Sequence, residues 1–376
     1  MSAATERLVK KLVVVATIAG LGSALAFLLV ACGSGGSSPA ERSASAPVWL
    51  ALPAAPIKID TRPTSVWTGD RMIVFGRRNV TALDSRGAPY VVKSVDSAES
   101  YDPSSRTWTR LSPPAGPGYV PEYHAVWTGK EMLAFGAFHS VAYNPGTGTW
   151  RPLSKSVGGG IVVWTGREAI GWGGGCCGDA WGDGLAYNPT TNSYRHVAHS
   201  PLAPSQGPLG AWTGRELVVV VNGYSPEGKL YSSSLARAAA YDPATDKWRR
   251  LPAPPAPALR YGGVSAWDGH ELLVVGRSGL RADTALAFDP STNRWRRLAR
   301  PPAALNPLGA YWAGGRLLVL GGQESVRAFA YDPKTNRWST LPRIPVQGTG
   351  QTIAWTGRQL IVWSNANGAA LTPVRR

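Results

Sequence analysis

Residues 312–338 read WAGGRLLVLGGQESVRAFAYDPKTNRW, and this stretch contains one complete copy of a repeat. A Trp opens the copy, followed by a Gly-containing turn, an apolar run that ends in Gly, an aromatic-Asp-Pro turn and a second Trp. The opening element recurs seven times, at Trp67, Trp127, Trp164, Trp212, Trp267, Trp312 and Trp355. Because self-similarity of this kind is typical of repeat architectures, we expect one structural unit to build most of the chain.

Each copy predicts four short antiparallel strands. The first ends at the Trp-Thr-Gly turn, and the second is the apolar run. The third ends at an aromatic-Asx-Pro turn that begins with Tyr101, Tyr143, Tyr187, Tyr241, Phe288 or Tyr331. The fourth carries Trp108, Trp150, Tyr194, Trp248, Trp295 or Trp338. Four antiparallel strands per repeat form a β-propeller blade, and we expect the aromatic rings to fill the space between blades.

The two ends of the chain predict the number of blades. Six copies are complete, whereas the last, residues 355–373, lacks a second Trp. Residues 48–53 match the fourth-strand pattern, with Trp49 followed by Leu52. The N-terminal strand should therefore complete the last blade, which leaves no unpaired edge between the first blade and the seventh.

The order of Gly, Tyr and spaced Trp resembles kelch repeats over nearly all of residues 48–376, although the Gly doublet is complete only in copies such as Gly321-Gly322. The resemblance implies an all-β, seven-bladed kelch-type propeller of the galactose-oxidase-like superfamily, with four antiparallel strands per blade. In such a disc, one face carries the loops between second and third strands and the connections between blades. Loops carry function while the blades position them, so we expect a binding site on that face.

The N-terminal segment predicts export and lipidation. Arg7, Lys10 and Lys11 precede a stretch without charge, residues 12–31, which is the pattern of an export signal. The segment 29–33, LVACG, resembles the lipobox of bacterial lipoproteins, which implies a signal peptide over 1–31 and diacylation of Cys32. The alternative is an uncleaved membrane helix, and both place the remaining chain outside the cytoplasm. Residues 32–47 are rich in Gly, Ser and Pro and read as a flexible tether.

The charge of the chain bears on the class of partner that it could bind. The formal net charge is +16, from 39 Lys+Arg and 23 Asp+Glu. Basic residues are scattered through the repeats, with no basic tail or recognition helix, so the sequence predicts no nucleic-acid partner. A general excess of Arg on the protein surface explains the charge without any partner, and attraction to anionic lipid headgroups or an envelope polymer is the intermediate alternative. The expected location is the cell membrane, through a lipid anchor, facing outside the cytoplasm.

Candidate ligand-binding residues lie in the predicted loop face. Long insertions there span 77–100, 171–184, 222–235 and 277–284, and the connection 113–124 is also long. The second insertion contains the adjacent Cys176 and Cys177, for which a vicinal disulfide, reduced thiols and a merely structural turn are the alternatives. The remaining candidates are Asp179 and Trp181 in that insertion, Tyr123-His124 and Arg260-Tyr261 at the channel mouth, and the loop residues His139 and Arg281.

Binding and catalysis are the competing functional hypotheses. Galactose oxidase uses copper with two Tyr, two His and a Tyr-Cys crosslink, and this chain has no separate Cys suited to that crosslink, so the oxidase activity is not transferred. A sialic-acid epimerase-like reaction would use His124 or Glu122 as acid or base, with Arg260 as anion clamp. Two carboxylates, Asp179 and Asp183, are weak grounds for calcium. The sequence favours a binding or interaction module for a glycan, envelope component or protein, with no catalytic residue, cofactor or metal assigned.

Overall fold

Seven four-stranded antiparallel sheets make up the structure, a computed structural model. It describes residues 47–60, 63–113, 123–137, 139–175, 178–225, 229–232, 234–255, 259, 262–277, 282–302, 305–321, 327–346, 351–365 and 367–371. These residues contain 28 strands and no helix, so none of them forms an apolar helix that could span a membrane. The predicted all-β, seven-bladed propeller is confirmed.

The first three blades follow one another along the chain. Blade one consists of β2 (Thr64–Trp67), β3 (Met72–Leu83), β4 (Pro89–Asp102) and β5 (Thr107–Leu111). Blade two consists of β6 (Tyr123–Trp127), β7 (Met132–Gly136), β8 (Ser140–Asn144) and β9 (Thr149–Leu153). Blade three consists of β10 (Ile161–Trp164), β11 (Ala169–Trp172), β12 (Gly184–Asn188) and β13 (Ser193–His196).

The next three blades repeat the pattern, and the seventh contains both ends of the chain. Blade four is β14 (Leu209–Trp212), β15 (Leu217–Val220), β16 (Ala238–Asp242) and β17 (Lys247–Arg250). Blade five is β18 (Gly263–Trp267), β19 (Leu272–Arg277), β20 (Ala282–Asp289) and β21 (Arg294–Arg297). Blade six is β22 (Pro307–Ala313), β23 (Arg316–Gly321), β24 (Arg327–Asp332) and β25 (Arg337–Thr340). Blade seven is β26 (Gln351–Trp355), β27 (Leu360–Ser364), β28 (Asn367–Leu371) and β1 (Trp49–Ala51).

The N-terminal strand closes the ring as predicted. Strand β1 pairs antiparallel with β28, with Trp49 opposite Leu371. Five fourth-strand Trp rings also link neighbouring blades, because their indole N–H groups donate to a carbonyl that follows the fourth strand of the preceding blade; they are Trp49, Trp108, Trp248, Trp295 and Trp338. The two bonds on either side of the closure are Trp49 Nε1 to Pro342 O, 2.9 Å, and Trp108 Nε1 to Pro53 O, 3.0 Å. Closure therefore reproduces the contact used elsewhere in the ring, as between Trp248 and Ala198.

Apolar side chains from adjacent blades pack into seven clusters, one for each blade interface. The second strands are the most buried, and Leu217, Val218 and Val219 are fully inaccessible. In blades one to six, the third-strand aromatic ring lies against the fourth-strand ring of the same blade, with centroids 4.5 to 5.3 Å apart. The prediction that these rings fill the space between blades is confirmed.

The turns use the residues that their geometry requires. The turn between first and second strands has a Gly with positive φ in every blade, for example Gly166 at 93°. In the aromatic-Asx-Pro turns the Asx side chain accepts a backbone N–H two residues on, as Asp242 Oδ1 does from Ala244 N at 2.9 Å. These two sets of turns form one face of the disc, which we call the turn face. The opposite face, with the other connections, we call the loop face.

A second repeated interaction stabilises blades two to five. A Glu after the first-strand turn pairs with an Arg on the fourth strand, giving Glu131–Arg151, Glu168–Arg195, Glu216–Arg249 and Glu271–Arg296. Three of these Arg also donate to the next blade. Arg151 Nη1 reaches Tyr187 OH and Arg195 Nη1 reaches Tyr241 OH, each at 2.8 Å, and Arg249 Nη1 reaches Asn293 Oδ1 at 3.5 Å. The remaining blades lack both members, with Arg71, Arg316 and Gln359 at the Glu position and Thr109, Ser339 and Leu50 at the Arg position. The pair is therefore a structural link between blades.

Candidate functional site

The main irregularity of the loop face is a long hairpin in blade one. The sequence suggested an insertion over 77–100, and the structure instead extends β3 and β4 through it, pairing them from Met72 with Tyr101 out to Leu83 with Pro89. Strands β2 and β5 pair only with the inner part of this hairpin, from Phe75 and Ala98 toward the turn face. The outer part is a two-stranded ribbon beyond the end of β2.

The tip of the ribbon exposes apolar side chains. Residues 83–93 are all exposed, and Leu83, Tyr90, Val91 and Val92 have 69%, 50%, 52% and 49% of their surface in contact with solvent. A bulge between Val80 and Thr81 places Val92 out of register. An isolated two-stranded ribbon is only marginally stable in water, so its order depends on what holds its base.

A buried polar cluster fixes the base of the ribbon to blade two. Asp96 lies opposite Arg77 in the ribbon, and its Oδ1 is 3.3 Å from Arg77 Nη1. Tyr123, on β6 of blade two, donates its hydroxyl proton to the same Oδ1 at 3.1 Å. His139, between β7 and β8, places Nε2 3.2 Å from Asp96 Oδ2. One carboxylate thus connects two strands of blade one with two parts of blade two.

The opposite side of the base is held by the connection that leads from β1 to blade one. Asp60 N donates to Arg77 O at 2.9 Å, and Asn79 N donates to Asp60 Oδ2 at 2.8 Å. Ser94 donates its hydroxyl proton to Asn79 Oδ1 at 2.7 Å, across the two strands. The ribbon is therefore clamped on both sides of its base, which holds it upright on the loop face.

The chemistry of the Asp96 cluster is that of a structural support. Burial raises the pKa of Asp96, and the charges of Arg77 and His139 and the Tyr123 hydrogen bond oppose that rise. Burial likewise raises the pKa of the Tyr123 phenol. The side chains of Arg77 and Asp96 are 1% and 0% exposed, and that of His139 is 14% exposed. A carboxylate, an imidazole and a phenol meet here, and the imidazole and the phenol both contact the carboxylate.

A second buried carboxyl lies on the other face of the same strand. Glu99 is inaccessible to solvent, and its Oε2 accepts a hydrogen bond from Ile57 N at 3.2 Å. Burial raises its pKa to about 8, and the Ile57 bond offsets only part of that rise. The corresponding residues of the other blades are all apolar, namely Val141, Leu185, Ala239, Leu286, Phe329 and Ala369. Comparing the repeats with one another would have revealed Glu99, which the sequence analysis missed.

The structure places the side chain of Tyr123 between two blades and away from solvent. The sequence analysis placed it at the channel mouth, whereas its side chain is 4% exposed and packs between blades one and two. Strand alternation is the reason, because Tyr123, Ala125 and Trp127 share the side of β6 that faces blade one. Its neighbour His124 is half-buried. The structure thus brings Tyr123 and His139 together, through Asp96, as parts of the support.

The candidates in blade three lie in the loop between β11 and β12. Trp181 is 46% exposed, and its backbone is held by Trp181 N to Gly174 O at 2.9 Å and by Ser205 N to Trp181 O at 3.0 Å. Asp179 is exposed, and its carbonyl accepts a bond from Gln206 Nε2 at 2.8 Å. An exposed indole on a fixed backbone is available for stacking, so the ligand role of Trp181 stays a prediction.

Several predicted site residues lie outside the described residues: Cys32, Glu122, Cys176, Cys177, Arg260, Tyr261 and Arg281. Their proposed roles stay predictions. Among the residues that the structure does describe, no three His, Cys, Asp or Glu side chains gather in a way that could hold a metal ion.

Fold and site together define a seven-bladed β-propeller with a clamped ribbon on its loop face. Solved structures of similar fold include YjhT, at TM-score 0.51 and 14% identity, covering 77% of this chain and 99% of that one. A chain of the mitotic checkpoint complex has a TM-score of 0.52 and 13% identity, covering 94% of this chain and 99% of that one. U3-55K has a TM-score of 0.53 and 10% identity, covering 86% of this chain and 98% of that one. No family model and no curated protein matches the sequence. At these identities the similarity concerns the fold alone.

Proposed function

We propose that this protein is an extracytoplasmic, lipid-anchored binding module of the kelch type. Residues 1–31 act as signal peptide, Cys32 carries the lipid, and residues 32–47 tether the propeller. The loop face recognises the ligand, which is a glycan, an envelope component or a protein.

The clamped ribbon carries this proposal. Leu83, Tyr90, Val91 and Val92 are exposed on a ribbon whose base a buried ion cluster holds in place. Exposing these apolar side chains does not stabilise a monomeric propeller. Exposed apolar groups that are held in place in this way are typical of interaction sites. In the described part of the chain, the outer residues 80–83 and 89–93 pair only with each other, so the edges of the outer ribbon offer backbone groups to an added strand. The ribbon therefore favours a protein ligand, and the exposed Trp181 in blade three would suit a sugar.

The anchor is tested by fractionation and lipid labelling. Cys32→Ser should abolish incorporation of a labelled fatty acid and leave an unprocessed precursor or a released protein. Cys32→Ala serves as a second variant of the same position, and Ser43→Ala as a control outside the lipobox. Unchanged lipid labelling of both Cys32 variants would refute the anchor.

The recognition face is tested by shortening the ribbon. Replacing residues 81–92 by Asn-Gly joins the paired residues Val80 and Lys93 through a two-residue turn and keeps the Asp96 cluster. We expect the variant to keep its melting temperature but to lose crosslinking to envelope proteins that the intact protein gives. Trp181→Ala is the matched control, since it should affect binding in a glycan thermal-shift screen and spare the crosslinks. Equal crosslinking by the intact and shortened proteins would contradict a role for the ribbon.

A further inference from the structure

The turn face has cations at the tips of its turns. Between first and second strands, the residue after the turn Gly is Lys130, Arg167, Arg215 or Arg358 in four blades, and each is exposed. The turns between third and fourth strands add the exposed residues Arg106, Lys247, Arg294, Lys334 and Arg337. The repeat therefore gathers on one face charges that are scattered along the sequence.

Many carboxylates of the same turns are already engaged within the protein. Asp102, Asp242, Asp289 and Asp332 accept backbone N–H groups of their own turns. The four Glu of the interblade links are each paired with an Arg. The four Asp keep their negative charge, as do Asp70, Asp246 and Asp268 in the same turns, so seven Asp stand against the nine turn-tip cations and the turn face keeps a small positive excess.

A groove crosses this face between blades three and four. It has a volume of about 780 Å³, and its lining includes Arg167, Arg195 and Arg215, the carboxylates of Glu168 and Asp242, the half-buried Trp212 and the hydroxyls of Thr165 and Thr191. Arg195 is engaged by Glu168 and Asp246, whereas Arg167 and Arg215 are exposed at the turns. The groove combines guanidinium groups, which bind phosphate oxygens in a bidentate manner, with hydroxyl donors.

The chain enters the propeller on the same face. Trp49 pairs with Leu371, and Leu371 pairs in turn with Leu360. Leu360 is the first residue of β27, directly after the first turn of blade seven. From there β1 runs toward the loop face, where Leu52 N bonds to Gly368 O. The start of β1 therefore lies at the turn face, on the side opposite the ribbon.

We propose that the turn face, centred on Arg167 and Arg215, docks on the phosphate headgroups of an anionic lipid bilayer. The inference rests on the proposed membrane location and deepens it, because the surface would orient the tethered disc with its ribbon pointing away from the membrane. Each Lys or Arg near an anionic surface strengthens binding about fivefold. Many such weak contacts at once would keep the turn face parallel to the bilayer.

The test measures binding of the unit 44–376, which contains all 28 strands including β1, to vesicles without any lipid anchor. A single melting transition checks its folding. Co-sedimentation should occur with phosphatidylcholine vesicles that contain about 30% phosphatidylglycerol, and not with phosphatidylcholine alone. Binding at about 0.1 M salt should be lost at about 0.5 M, because screening shortens the reach of the charges.

Matched double variants locate the surface. Arg167→Ala/Arg215→Ala should weaken vesicle binding about 25-fold, and Arg86→Ala/Lys93→Ala, which removes the same charge from the ribbon, should change it less than about twofold. Equal loss in both variants, or no loss in the first, would overturn the proposal. So would binding to soluble polyphosphate without binding to vesicles, which would identify an anionic polymer as ligand. A fragment that fails to bind, with normal lipid labelling of Cys32 in the full chain, would remove this inference and keep the anchor.

Discussion

Glu99 gives the sharpest prediction, because a buried carboxyl makes stability depend on pH. Its pKa is raised from 4.5 to about 8 in the folded protein. Between these two values the folded state binds more protons than the unfolded state, so the free energy of unfolding falls as the pH rises. The raised pKa corresponds to a loss of about 3 kcal/mol between pH 5 and pH 8. Most of that loss should disappear in Glu99→Gln, whose side-chain carbonyl can still accept the Ile57 N–H.

Urea denaturation followed by Trp fluorescence at pH 5, 6, 7 and 8 measures the effect. Glu99→Gln should be close to the wild type in stability at pH 5 and more stable by about 3 kcal/mol at pH 8. Burial also raises the pKa of Asp96, so Asp96 adds to the pH dependence of stability in both proteins. Its contribution is the same in both and cancels in the comparison. Asp179→Asn, which neutralises an exposed carboxyl, should keep the wild-type slope. An identical slope in wild type and Glu99→Gln would refute the argument from burial.

Two further predictions concern the ring. Deleting residues 48–53 removes β1 and the Trp49 bond to Pro342 and exposes the edge of β28, so the melting temperature should fall by more than about 10 °C; an unaltered melt would contradict closure by this strand. Arg195→Met should cost about 2 kcal/mol in urea denaturation, because it leaves the mostly buried Glu168 without its partner, and Glu168→Gln/Arg195→Met should recover part of that loss. Additive effects in this double-mutant cycle would show that the two residues do not act as a pair.

The repeat was sufficient to predict the architecture. Gly in the first turn, Asx in the second and the spaced aromatic residues act within one blade, over short distances in sequence, so their pattern could be read without coordinates. The incomplete last copy and the strand at residues 48–53 predicted the closure in the same way. The Glu–Arg links were also open to sequence reasoning, since blades with Glu131 or Glu168 have Arg151 or Arg195, and the blades without the Glu lack the Arg.

The sequence alone determined seven blades, their strand order and the closure, because each rests on a local pattern that recurs. The tertiary structure alone decided that the insertion in blade one is a ribbon and that Tyr123 belongs to its support. Asp96 contacts Tyr123 27 positions away, and the choice of that partner depends on how two blades pack rather than on any motif. The tertiary structure also placed the turn-tip cations and the start of β1 on the same face of the disc. Strand direction sets that geometry, and it appears only when the ring is closed.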